Sequence, residues 1–484
     1  MPDGSNDQII DHSEFVGTKT GCSQREVFMI VFVGLFGLLM RNSILPWIFL
    51  GRSYNTSYIA YWLKFLVDIS FLVIPPFLSV TIFANHLTVY LVVLLIIYIM
   101  LLGMVFFEAS HHSFGPPIKQ TWNSIVDEQH KTTMFVTYLR SGVMILVAVA
   151  ILAVDFPVFP RRYAKTEFFG HSVMDLGVSV FICMSGLSSK LSRSQIGENI
   201  RPERKWFMSS TFFLFVIGFA RTIFLELLNY PQHVTEYGVH WNFFFTLAVV
   251  RTVYRILPKH FPYLTAILFG LFHQTLLKSG YQDWILTEGE NKRENLISAN
   301  AEGIFSLLGY LTMFYASLGI GEFLSHTGFR VKSWIRRCIQ LLFITFIFYF
   351  LQAICEYYID RPSRRVVNIT YIFSQLSVFS FGVLISLVAQ MFNIVSWTAS
   401  IPHFSNGDHP FAPLSPCLTE SINRHSLIFF LVSNVFTGLV NMSIDTHKTP
   451  DYIATPIIIA YLVVVSFIVH FIEFRKTVFK THSE

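Results

Sequence analysis

The chain has 484 residues, 53% of them hydrophobic and only 13% charged, with 51 Phe and a formal net charge of +5. A soluble domain carries roughly 25% charged residues, so a water-soluble globular body is excluded and an integral membrane protein is implied. No basic, aromatic-interleaved patch of the nucleic-acid-binding kind is present, and no nucleic-acid partner is expected.

Residues 1–26 are polar and lack the apolar core of a signal peptide, so the first apolar run is expected to persist as a helix. Apolar windows then fall near 27–50, 60–84, 87–107, 132–153, 172–189, 206–228, 236–256, 262–278, 299–320, 339–359, 367–391, 425–445 and 452–474. Each is long enough to cross a bilayer as a helix and too long for a tilted barrel strand. The expected fold is all-α, a polytopic membrane protein of about thirteen transmembrane helices. A polar N-terminal segment (1–26) precedes a single polytopic domain (27–475) and a short C-terminal tail (476–484). The five cysteines are scattered, with no CxxC spacing, so neither a disulfide framework nor a zinc site is expected.

An odd number of spans puts the termini on opposite faces. Lys and Arg are more numerous in the loops after odd-numbered spans and in the C-terminal tail. That bias places the C-terminus in the cytosol and the N-terminus on the other side. Five polar segments, "FPRRYAKTEFFGHSVMD" (159–175), "TEYGVHWN" (235–242), "NLISANAEG" (295–303), "DRPSRRVVN" (360–368) and "NMSIDTHK" (441–448), each follow an even-numbered span. All five therefore share the non-cytosolic face. Helix caps alone would be spread over both faces.

Their residue types allow chemistry as well as structure. Asp175 is expected one turn into the fifth span, with His171 at i−4 on the same face. A carboxylate at that depth is either a functional group or half of an ion pair, and Lys165 is its nearest cation in sequence. Glu236 and His240 have i, i+4 spacing, Tyr237 and Trp241 suit interfacial anchoring, and Asn242 follows directly. Asn300 reads as an N-cap with Glu302 on the positive helix terminus. Arg364 and Arg365 could grip a phosphate bidentately or rest on lipid headgroups. No GxSxG, Walker A, kinase or HExxH motif occurs. Residue types alone leave a membrane enzyme and a membrane transporter both open.

Read together, "FPRRYAKTEFFGHSVMDLGVS", "TEYGVHWNFFFTLA", "SANAEGIFSLLGYL", "SRRVVNITYI" and "NVFTGLVNMSIDT" resemble, in this order, the glycosylphosphatidylinositol-anchor inositol acyltransferases of the PIG-W family. The resemblance covers roughly residues 27–475, and its EYGVHWNFFFTL string is highly specific. It implies a multi-pass enzyme of the endoplasmic reticulum membrane with a lumenal N-terminus and a cytosolic C-terminus. Such an enzyme moves a fatty acyl chain, typically palmitoyl, from acyl-CoA to the inositol of glucosaminyl-phosphatidylinositol. Acyl-CoA would be a co-substrate, with no cofactor or metal, and membrane lipids would be the remaining partners. A lipid or small-solute transporter is the competing class.

The resemblance assigns the base to Asp175 and the cation facing the thioester oxyanion to Lys165, with His240 as the alternative base. It makes Arg161, Arg162, Arg364 and Arg365 candidates for phosphate contacts. Glu236, His240, Trp241, Asn242, Asn300, Glu302 and Asn441 are expected to line the substrate cavity. The chain departs from the family pattern at Ala301, where an arginine is usual, at Ser179, usually glycine, and at His171, usually a small residue. N-glycosylation sequons stand at Asn55, Asn368 and Asn441. The expected topology puts Asn55 in the cytosol, Asn368 at a lumenal helix end and Asn441 against the membrane.

Overall fold

The computed structural model describes residues 15–18, 20–49, 58–111, 134–195, 210–227, 234–257, 260–288, 295–327, 331–400 and 417–481. The Asn55 sequon and residues 1–14 lie outside these. A helix falls within each of the thirteen expected windows. Among the described residues, nine helices are long and apolar enough to cross a bilayer, and Leu176–Ser189 and Thr211–Phe224 are shorter apolar stretches. Two two-residue strands, β1 (Gly17–Thr18) and β2 (Lys165–Thr166), are the only strands in the described chain. The class is a polytopic all-α membrane protein.

Several boundaries differ from the sequence reading for identifiable reasons. The fifth span begins at Leu176 rather than 172, so His171 and Asp175 belong to the preceding loop and share no helical face. The seventh begins at Phe243, because Gly238 takes φ +111° and breaks the short Val234–Tyr237 turn. Glu236 and His240 are consequently out of i, i+4 register. The first helix does run through its polar interruption, from Gln24 to Phe49. Arg41 is 1% exposed there, and its Nε sits 2.5 Å from Asp68.

Where the composition offers no linker, the contacts still divide the chain into two compact, interleaved units. The first comprises residues up to Cys22, Ala164–Thr327 and Phe343–Ser380. Its centre is the Ala301–Ser325 helix, 78% buried over its apolar window. That helix packs most extensively on Leu176–Gln195 and next on Pro262–Leu276. Small residues permit the first crossing: a Cβ on Gly186 would come within 2.4 Å of the Phe314 carbonyl oxygen. Without a hydrophobic drive between helices in lipid, such backbone approach is the main source of packing.

The second unit holds Ser23–Tyr163, Gly328–Leu342 and Phe381–Glu484. Gln24–Phe49 packs on Leu87–His111, while Met134–Ala153 packs on Leu418–Arg424 and Ser426–Ser443. Leu87–His111 leaves Val92, Ile96, Ile99 and Met100 exposed, the outward face expected of a helix in hydrocarbon. Asp68 immediately precedes a π-helical segment, Ile69–Val73, before Pro75 and Pro76. The wider turn accommodates the missing N–H donors of the prolines. Both Asp68 oxygens are used, one by Arg41 and the other by the Leu418 backbone N–H at 2.7 Å.

Candidate active site

The functional residues of the first unit rest on two loops and on the short Val234–Tyr237 turn, which carries Glu236. The earlier one, residues 164–175, is held by the N-terminal segment: β1 and β2 pair in parallel, with Gly17 opposite Lys165. The Glu167 N–H donates to the Thr18 carbonyl at 3.0 Å, and the Cys22 N–H to the His171 carbonyl at 2.7 Å. Asp175 closes this loop on itself. Its Oδ1 accepts from the Thr166 N–H at 3.2 Å and its Oδ2 from the Thr166 hydroxyl at 2.8 Å. The strand bearing Lys165 is therefore fixed at its next residue by Asp175.

The later loop, residues 359–368, places Arg364. Val367 has φ +51°, a conformation that a β-branched residue adopts at a cost of about 1–3 kcal/mol. Surrounding bonds impose it: His273 Nε2 donates to the Val366 and Val367 carbonyls at 2.9 and 3.2 Å. Asn368, fully buried, accepts from the Ser363 and Tyr371 N–H groups and donates to the Arg361 carbonyl. Gln274 accepts from the Ile369 N–H at 3.0 Å. Sequence reasoning passed over His273 and Gln274 and met Asn368 only as a sequon. The three polar residues in or beside apolar runs were a usable signal, since each needs a buried partner.

These loops and the Val234–Tyr237 turn bring four charges into an alternating chain. Lys165 Nζ lies 2.8 Å from Glu236 Oε2, Arg364 Nη1 lies 3.5 Å from Glu236 Oε1, and Arg364 Nε lies 3.1 Å from Asp175 Oδ1. Lys165 and Asp175 thus communicate through Glu236 and Arg364. Exposure falls steadily along the chain, from 36% for the Lys165 side chain to 1% for Asp175. Burial pushes the Asp175 carboxyl up from its ordinary range, against the opposing pull of Arg364 and the Thr166 bonds. Burial also works against the Arg364 charge, but Glu236 and Asp175 outweigh it and hold the guanidinium above its ordinary value. A carboxylate of raised basicity, a fixed guanidinium and a partly open lysine are the ingredients of acid–base and oxyanion chemistry.

Ser179 has a clear role where the family pattern has glycine. It is fully buried, and its hydroxyl lies 2.6 Å from Tyr371 OH, which donates to the Asp175 carbonyl at 2.7 Å. Ala301 is fully buried at the start of the central helix. His171 meets Ser374 at 3.1 Å and Gln352 at 3.3 Å, and stands 3.8 Å from Glu356.

The remaining expected site residues fall into different surroundings. Asn242 is the N-cap of Phe243–Ile256, its Oδ1 accepting from the Phe244 and Phe245 N–H groups, so it is a cap and not a cavity-lining group. Asn300 makes no capping bond of its own; its Oδ1 accepts from the His240 and Trp241 N–H groups at 2.8 and 2.9 Å. Trp241 donates its indole N–H to Thr246. His240 is exposed, and only its backbone joins these networks. Glu302 and Arg365 form a buried pair at 3.1 Å, with Arg365 over the Phe168 ring, so neither faces a substrate phosphate.

In the second unit, Arg161 donates to the Val154, Phe156 and Phe159 carbonyls, and burial lowers its pKa to about 10. It is a loop clamp. Arg162 pairs with Glu26 at 3.0 Å. Asn441 donates to Asp155 Oδ2 at 2.8 Å, while its own Oδ1 is buried without a hydrogen bond. Asp155, 5% exposed, is a carboxylate the sequence reading overlooked, because it sits at the end of an apolar run rather than in a polar segment. Among the described residues, no group of three or more His, Cys, Asp or Glu is spaced to hold a metal.

The family model of GWT1 matches residues 10–472. The chain belongs to the GWT1 family. It is 29% identical to the phosphatidylinositol-glycan biosynthesis class W protein of Dictyostelium discoideum, over 96% of this chain and 97% of that protein. It is 28% identical to the mouse glucosaminyl-phosphatidylinositol-acyltransferase PIGW, over 90% and 92%. Against GPI-anchored wall transfer protein 1 of Candida albicans it is 30% identical, over 96% and 98%.

Proposed function

We propose that the chain transfers a fatty acyl group, palmitoyl foremost, from acyl-CoA to the inositol of glucosaminyl-phosphatidylinositol during GPI-anchor synthesis in the endoplasmic reticulum membrane. Its N-terminus is lumenal and its C-terminus cytosolic. Family membership and the names of the relatives support the reaction and the acceptor. The observation that carries the site is the alternating chain from Lys165 through Glu236 and Arg364 to Asp175.

In this reading Lys165 faces the reacting atoms, and its ammonium stabilises the oxyanion that forms as the inositol oxygen attacks the thioester carbonyl. Glu236 fixes the ammonium, and Arg364 fixes Glu236. Asp175 is the base. Since it is 1% exposed and its Oδ2 is hydrogen-bonded to the Thr166 hydroxyl, the inositol proton reaches it by passing through Thr166 Oγ1 or by displacing that contact. Collapse of the tetrahedral species breaks the carbon–sulfur bond, and the CoA thiolate takes the proton back. Purified protein supplied with equimolar palmitoyl-, myristoyl- and oleoyl-CoA and the acceptor lipid tests donor and chain. The palmitoyl ester is expected to dominate, and product formed equally well without any acyl-CoA would rule out that donor.

A further inference from the structure

A cavity of about 570 Å³ lies wholly within the second unit, with Thr81, Asn85, Arg162, Asp451 and Thr455 as its polar wall. Its depth follows from the helices that reach it. Thr81 follows the Tyr61–Val80 stretch, Asn85 stands at the start of Ala84–Met104, Pro157 lies just beyond Met134–Ala153, and Asp451 opens Asp451–Lys476. Four helices long and apolar enough to cross a bilayer thus end at one cavity, which sets it at the level of the lipid headgroups. The surface around it is apolar and open. Ile82 and Tyr452, both in the wall, are 51% and 77% exposed, and Val89, one turn after Asn85, is 63% exposed.

The polar groups differ in how far they are already engaged. The Thr81 hydroxyl donates to the Phe77 carbonyl. Arg162 donates from Nε to Glu26 and from Nη2 to the Ala84 carbonyl and Tyr163 OH, which leaves Nη1 unused. Among the described residues, no hydrogen bond or ion pair engages the Asp451 carboxylate, the Asn85 amide or the Thr455 hydroxyl. Asp451 in a first helical turn suits the helix dipole, but that preference accounts for neither of the two acceptors beside it. An unpaired carboxylate and half a guanidinium in one cavity match a ligand that carries both signs of charge. Glu26 already balances much of the Arg162 charge, so the single charge of a phosphodiester fits better than the near-double charge of a phosphate monoester. Asp451, the Asn85 amide oxygen and the Thr455 hydroxyl oxygen are three acceptors, as many as a primary ammonium has N–H donors. A quaternary ammonium has no N–H and would leave all three unpaired.

We infer that this cavity holds the headgroup of a bilayer phosphatidylethanolamine, bound unchanged as a resident lipid. Asp451, Asn85 and Thr455 receive its ammonium, and Arg162 Nη1 donates to a phosphodiester oxygen. Pro157 packs on the ethylene carbons, and the acyl chains leave past Ile82 and Tyr452 along the apolar face that Val89 begins. The volume lies within the range of about 300–1,000 Å³ usual for small-ligand sites. A glycerol headgroup offers Asp451 no cation, and a serine headgroup would set a second carboxylate beside it. Recognition of this lipid uses none of the four charges in the chain from Lys165 to Asp175, so it stands whether or not acyl transfer occurs there.

Native mass spectrometry of the delipidated full chain in detergent, titrated with dioleoyl-phosphatidylethanolamine, -phosphatidylcholine or -phosphatidylglycerol, tests the inference. Wild type should bind one phosphatidylethanolamine about ten-fold or more tighter than either of the others, the range for hydrogen bonds to a charged group. Asp451→Asn should abolish that preference. Thr455→Val, which keeps the volume of the side chain, should weaken it by less. Both variants should melt within a few degrees of wild type in the absence of lipid, and if Asp451→Asn fails to fold, Thr455→Val carries the comparison. Equal binding of the three lipids by wild type, or an undiminished preference in every folded variant, would overturn the inference. So would displacement of the lipid by soluble phosphoethanolamine at comparable concentration, since a free phosphate ester would then be the ligand.

Discussion

Asp175→Asn separates chemistry from architecture, because the exchange removes one charge and almost no volume. The Thr166 N–H can still donate to an amide oxygen at this position, and Arg364 keeps Glu236 as its counter-ion. The stability effect follows from the direction of the pKa shift. Burial raises the Asp175 carboxyl, so its favourable contribution is complete below the unfolded value of about 3.9 and is lost as pH rises through the higher folded value. A neutral amide at this position carries no such pH dependence. The melting temperature of the variant should stay within a few degrees of wild type at pH 7, and the wild type should lose ground to it as pH rises from the unfolded carboxyl value of about 3.9 through the raised folded value. Activity should behave differently. Losing a positioned general base typically costs about 10²–10⁴ in rate, or roughly 2.7–5.5 kcal/mol of barrier. Acyl transfer in detergent, normalised to folded protein, reads this directly. Turnover near wild type would refute Asp175 as the base and transfer that role to Glu236, the other carboxylate of the chain.

Lys165→Met should retain almost no acyl transfer and Lys165→Arg only a part, since the planar guanidinium would meet Glu236 and the oxyanion in a different geometry; a fully active Met variant would make Lys165 a loop charge. Glycopeptide mapping should find no glycan at Asn368 or Asn441, because the amide nitrogens donate to the Arg361 carbonyl and to Asp155, and a glycan at Asn368 would contradict its burial. Asp155→Asn should lower turnover by about ten-fold or more, given the partnerless Asn441 amide oxygen beside it, with little change in melting temperature; unchanged turnover would reduce Asp155 to an anchor for Asn441.

The helices were legible because lipid leaves so few choices: long apolar runs and sparse charge admit little else. The grouping of Lys165, Asp175, Glu236 and Arg364 was legible in part, since all four lie in polar segments after even-numbered spans. Their order was not. Sequence spacing suggested that Glu236 faces His240 and that Asp175 faces His171, but the turn at Gly238 and the late helix start at Leu176 cancel both helical registers. Glu236 instead meets Lys165, 71 residues earlier, and Asp175 meets Arg364 in the 359–368 loop. Such partners are set by tertiary loop closure, which local periodicity does not encode. Asn242 shows the opposite lesson, for the ordinary capping preference was the correct guide there. Arg365 and Glu302 looked available to substrate only because sequence carries no measure of burial.

The central claim is tested most directly by purified wild-type protein reconstituted in vesicles with glucosaminyl-phosphatidylinositol and palmitoyl-CoA, followed by mass spectrometry of the lipid. Acylation on an inositol ring oxygen, with one free CoA released per product and both lost in Lys165→Met, is the predicted result. Movement of the unmodified lipid across the bilayer with no acylated product would contradict the account and identify a transporter.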